Sequence, residues 1–228
     1  MSKMALNTLI GFHGSWEFRK KEMLLCNEMQ ITRGDKHWLG DGVYFYKDMY
    51  DAYSWIKNMY KDKFCEEPKS YDELSKWYGI IIGEIEVEKA RIFDLDNKHN
   101  NLLIEEVTKK LKSRQAYSQR FKDDEINDGV TLNIIFNDFG YKDKYDVVIA
   151  TFSPKGINYK GKSTRFEYRL ENQICVKNKS VIKDIKEHNF KSMYNEFDLI
   201  YNKINKYKNS YNNKSKRNNE ILKNVFKH

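Results

Sequence analysis

The residues best suited to chemistry lie in three short runs of a 228-residue chain. The first is Thr8-Leu9-Ile10-Gly11-Phe12-His13-Gly14-Ser15, an apolar strand ending in an imidazole, a glycine and a small hydroxyl. A strand-end histidine can donate or accept a hydrogen bond near neutral pH, and a glycine beside it lets a ligand approach the backbone. The second run is Trp38-Leu39-Gly40-Asp41-Gly42-Val43-Tyr44-Phe45-Tyr46-Lys47-Asp48. Its two glycines around an aspartate predict a turn, and Val43 to Tyr46 predict a short buried strand. The third run is Glu171-Asn172-Gln173, in which the first and last residues share one face of a strand. Glu171 can carry charge and act as a base, whereas Gln173 can only donate and accept hydrogen bonds.

Each run needs an element to position it. Residues 6 to 14 are predicted to form the first strand, with Ser15 placed to cap a helix that begins at Trp16. Asp48 is the predicted N-cap of a second helix, in which Met49, Ala52, Tyr53, Ile56, Met59 and Tyr60 recur at helical spacing. A short helix over Tyr71 to Trp77 precedes a strand over Tyr78 to Val87, and a shorter strand spans Arg91 to Leu95. Helical periodicity returns over Leu102 to Leu111 and Val130 to Phe139. Strands are then predicted over Tyr145 to Phe152 and Phe166 to Val176, the latter followed by a short helix. Short strands without regular βαβ alternation agree with an α+β class.

The strand end His13-Gly14-Ser15, taken with the glycine turn, Tyr44 and the helix bearing Ala52 and Trp55, resembles the NAD-binding core of the ADP-ribosyltransferases. The branch it is similar to is that of diphtheria toxin and the poly(ADP-ribose) polymerases. The resemblance covers roughly residues 6 to 60 and 166 to 178. It implies two small antiparallel sheets facing each other, with helices on the flanks. It also implies that His13 bonds an NAD ribose hydroxyl, that Gly14 meets the nicotinamide amide through its backbone beside Ser15, and that Tyr44 packs on the nicotinamide with Trp55 completing the stack. A planar cationic ring between aromatic faces is physically sensible in its own right. The family's late-strand glutamate is replaced here, with Gln173 at the motif position and Glu171 a candidate substitute.

Composition bounds the rest. With 40% hydrophobic and 14% aromatic residues the chain is globular, and it is long enough for one substantial core plus an appendage. We expect a catalytic domain over residues 1–190 and a basic helical extension over 191–228. Three cysteines far apart support neither a disulfide framework nor a structural metal site. No long apolar run predicts a membrane span or signal region, so the expected location is cytoplasmic. The net charge of +8 is concentrated at the end, where Tyr201 to His228 carry eight Lys and Arg against one acid, Glu220. Cleavage of the bond from nicotinamide to ribose needs a site that orients the ribose and stabilises developing positive charge. The leading expectation is therefore mono-ADP-ribosyl transfer from NAD to a protein or nucleic-acid acceptor, in a toxin or defence enzyme. The rivals are an NAD- or ADP-ribose-binding module without catalysis, and a nucleic-acid-binding protein that acts through its tail.

Overall fold

The computed structural model describes residues 6–34, 37–113, 127–152 and 170–196. Its axis is β1 (Leu6–Trp16), an antiparallel partner of β3 (Tyr78–Glu88) from Leu6 opposite Glu88 to Trp16 opposite Tyr78. Beyond β3 lies the edge strand β7 (Ile182–His188). On the other side of β1 come β2 (Val43–Tyr46), β6 (Glu171–Val176), β5 (Val147–Phe152) and β4 (Ile92–Asp94), giving the order β4-β5-β6-β2-β1-β3-β7. Among these pairs, β4 and β5 run parallel and the others antiparallel.

The α+β class holds, but among the described residues the two small sheets expected from the resemblance are replaced by a single mixed sheet of seven strands. The cause is β6, which is bonded on both edges: Cys175 stands opposite Tyr44 of β2 and opposite Val148 of β5. The weakest seam is between β1 and β2, which share one register pair, Phe12 opposite Tyr46.

Among the described residues of the first sheet-bearing part, the α-helices are α1 (Glu17–Cys26), α2 (Met49–Phe64), α3 (Tyr71–Trp77), α4 (Lys98–Ser113) and α5 (Asp128–Asp138). Asp48 caps α2 by accepting the Tyr50 N–H at 2.7 Å, and Ser70 caps α3 by accepting the Glu73 N–H at 3.1 Å. Ser15, by contrast, is no cap. The ladder with β3 holds the chain extended through Trp16, so Ser15 is buried within β1 and α1 begins without a side-chain cap. The short helix expected after Ser180 is likewise corrected: a three-residue turn, Lys179–Val181, leads into β7. The spacing of Ile182 and Ile185 suits a helix, but the open edge of β3 offers a backbone ladder, and tertiary pairing overrides the local pattern.

Strand alternation divides the core. Val43, Phe45, Ile174 and Val176 enter one cluster with Ile81 and Ile85, while Cys175 enters another with Phe93, Leu132, Ile135 and Val148, against which Tyr44 packs. By compactness the chain divides into Met1–His188 and Asn189–His228. In the second unit residues 191–196 are helical. The basic stretch from Tyr201 and the predicted start of the late strand at Phe166 lie outside the described residues.

Candidate functional site

The first unit contains a cavity of about 720 Å³ whose walls include His13, Gly14 and Ser15 of β1, Tyr44 of β2, Trp55 of α2, and Glu171 and Gln173 of β6. Residues more than 150 positions apart meet because β1, β2 and β6 are successive neighbours in the sheet. Helix α2 then crosses the end of β1. A methyl group at Gly14 would stand 2.8 Å from both Ile56 Cγ2 and Trp55 Cε3, so this glycine is required by the helix crossing itself.

His13 is fixed in one tautomer. Its Nδ1–H donates to the Tyr44 carbonyl at 2.7 Å, since a carbonyl can only accept. Burial lowers its pKa, so the ring is neutral at physiological pH. Nε2 is then an acceptor on a ring that lines the cavity, suited to a hydroxyl donor.

Tyr44 offers its ring rather than its hydroxyl. The hydroxyl donates to the Gly40 carbonyl at 2.6 Å and accepts the Leu39 N–H at 3.0 Å, tying the turn to the strand. The turn is held from outside as well. Lys177 Nζ donates to the carbonyls of Leu39 and Asp41, each at 2.6 Å, and Asn133 of α5 bonds both the N–H and the carboxylate of Asp41. Gly40 has φ 71° and would meet Asn133 Oδ1 at 2.3 Å if it carried a Cβ; at Gly42 the Cys175 sulfur would stand at 2.4 Å. Both glycines therefore answer to close packing of the turn on α5 and β6.

The acidic wall holds a residue to which the sequence pattern assigned no role. Asp51, four residues before Trp55 and so on the same side of α2, also lines the cavity. Its carboxylate accepts the backbone N–H of Asn172, which brings it against Glu171. Burial, with the neighbouring charges of Glu171 and Asp48, pushes the Asp51 carboxyl up to about 6. Burial also raises Glu171, while a hydrogen bond from the Gln173 amide partly offsets the rise. Tyr46 lies in the same wall and its hydroxyl is pushed far up, by burial first and then by the two carboxylates. Among the described residues, the lining includes Arg19 and Arg33. The only sequence signal for Asp51 was a polar residue beside the buried stripe Ala52, Tyr53 and Ile56, which helix capping at Asp48 obscured.

Among the described residues no cluster of three or more His, Cys, Asp or Glu is placed to hold a metal ion, and no helix is long and apolar enough to cross a membrane. No family model matches the chain, and no solved structure matches it. The uncharacterized protein MJ0359 of Methanocaldococcus jannaschii is 31% identical over 209 residues, covering 86% of this chain and 94% of the archaeal protein. By that identity over that span, the chain belongs to the same family as MJ0359.

Proposed function

We propose that this protein is an NAD-dependent mono-ADP-ribosyltransferase with an ADP-ribosyltransferase-like fold and a macromolecular acceptor. The observation that carries the reading is the convergence on one cavity of His13, Gly14, Ser15, Tyr44, Trp55, Glu171 and Gln173, residues marked by sequence as nucleotide-binding or catalytic. The volume lies within the roughly 300–1,000 Å³ typical of ligand sites. The lining also fits the molecule. His13 Nε2 can accept a ribose hydroxyl, the Tyr44 and Trp55 rings can enclose nicotinamide, and Arg19 and Arg33 can balance a pyrophosphate.

When bound, NAD supplies an ADP-ribosyl group held to nicotinamide by a bond whose cleavage develops positive charge on the ribose. The residues around it have separable tasks. Asp51 and Glu171 place negative charge where that positive charge develops. Asp51, titrating near 6, is anionic at pH 7 and able to take a proton from an acceptor hydroxyl or amine. Gln173 orients Glu171 through its amide. The family-like glutamate is thus replaced by a carboxylate pair from α2 and β6 in support of a glutamine.

The test is to incubate the purified full chain with NAD labelled on the adenylate, add total cell extract, and follow the label. Label in a macromolecular fraction, abolished by His13→Ala, is the expected result. NAD binding without transfer would make the protein a binding module, and no NAD binding would remove the reading altogether.

A further inference from the structure

Outside the cavity, the first unit carries a second groove of about 540 Å³. Its faces are aromatic, from Trp16, Phe18 and Trp77; its cations are Lys21, Lys63 and Lys76. Glu17 is the acid in the lining, and it is already engaged by Lys20 at 2.9 Å and Lys21 at 3.4 Å. Lys63 rests on rings instead of carboxylates, with its ammonium 4.3 Å from the Trp16 ring centroid and 4.4 Å from that of Trp77. Lys76 stands 5.9 Å from the Trp77 ring. Phe18 is 64% exposed although it is a large apolar side chain, and the Arg19 guanidinium lies 5.9 Å from its ring.

We propose that this groove docks single-stranded nucleic acid and presents it to the neighbouring cavity as the acceptor. Aromatic faces interleaved with lysines match the two repeating features of such a strand, flat bases and a phosphate at every step. An acidic peptide would use the cations and gain no stacking from the exposed Phe18 ring or from the Trp16 and Trp77 faces on which Lys63 rests. A duplex keeps its bases stacked on one another and so gains nothing from the rings. Continuity supports the assignment, because Trp16 lines both the groove and the cavity, and Arg19, beside Phe18, lines the cavity. A strand on the groove therefore reaches the wall that holds Ser15 and His13. That it becomes the acceptor rests on the transferase reading; that it binds does not.

The experiment uses the full chain and a fluorescent single-stranded oligonucleotide, in DNA and RNA forms, with anisotropy measured across a salt series. Lys63→Gln with Lys76→Gln alters two exposed side chains and should weaken binding about tenfold and reduce the salt slope by about 1.4, at roughly 0.7 for each phosphate no longer neutralised. Trp77→Ala should weaken binding about fivefold or more through reduced stacking, with its melting curve recorded alongside. NAD binding should be unchanged in the lysine variant. Unchanged oligonucleotide affinity in that variant overturns the proposal and leaves the basic C-terminal stretch as the binding element. Displacement by polyglutamate or duplex as readily as by unlabelled single strand overturns it too. Strand binding without any NAD binding would sink the transferase reading and leave the groove standing, whereas label transferred to protein alone, with no strand binding, would do the reverse.

Discussion

Asp51→Asn is expected to stabilise the fold and to remove turnover, a pairing of opposite effects that separates a functional carboxylate from a structural one. The folded protein lifts this carboxyl from 3.8 to about 6. Taken in full, at about 1.36 kcal/mol per pKa unit, that shift corresponds to about 3 kcal/mol of cost carried by the charged form. The carboxylate lines an open cavity and is only partly enclosed, so screening reduces the expected cost to about 1 kcal/mol. The native state binds this proton more tightly than the unfolded state. Stability therefore falls as pH rises from about 4 to 6, and the whole cost is present above that window. Asparagine keeps an oxygen to accept the Asn172 N–H but carries no charge against Glu171 and Asp48. The melting temperature should thus rise by about 2–4 °C at pH 8 and change little at pH 4. Turnover should drop about 100-fold, as expected when a positioned base is removed, with NAD affinity altered much less. Thermal melts at the two pH values, calorimetry with NAD and a labelled-NAD transfer assay measure all three quantities. A melting temperature lowered equally at pH 4 and pH 8 would make Asp51 a tie between α2 and β6, and full turnover would remove it from the chemistry.

Gly14→Ala should destabilise by about 1–3 kcal/mol in a denaturant titration, since the added methyl meets Ile56 and Trp55 at 2.8 Å. On the proposed transferase reading, Gln173→Ala should lower kcat more than it weakens NAD binding, because its amide bonds Glu171, the carboxylate assigned to the reacting ribose. Loss of activity in Glu171→Gln alone would assign the motif role to Glu171. Arg91 holds the buried Asp146 carboxylate below the ordinary aspartate range, with Nη2 donating to Oδ1 at 2.9 Å. That contribution is present at neutral pH and is lost as pH falls through the depressed value. Arg91→Ala should therefore cost about 3 kcal/mol at pH 7 and progressively less in acid, read from melts across pH.

The local code was legible where chemistry and periodicity coincided. Asp48 and Ser70 cap the helices they precede, and the stripe Ala52, Tyr53, Ile56 and Tyr60 is the buried side of α2. Candidate site residues were legible because strand ends expose their side chains at a sheet edge or face, where a histidine or glutamate stands out against apolar neighbours. Pairing across long separations was not. Nothing in Ile182 to His188 announces an edge strand until β3 is there to pair with it, and nothing in Asp51 announces a site residue until β6 brings Glu171 against it. Glycines were the most ambiguous letters. Gly14, Gly40 and Gly42 fit a ligand-approach reading, yet each has a packing neighbour that excludes a side chain.

The position of β6 dictates when the site can exist. The strand joins β4 and β5 to the rest of the sheet and also supplies Glu171 and Gln173, yet it is synthesised after β1 to β5 and all five helices α1 to α5. A nascent chain that has reached Phe152 holds His13, Tyr44, Asp51 and Trp55 but has two unjoined pieces of sheet and no late-strand carboxylate. Closing a loop of more than a hundred residues from β2 to β6 also makes this a slow, late step in folding. The proposed activity is consequently withheld from incomplete chains, and a ribosome stalled before residue 171 carries an inert product.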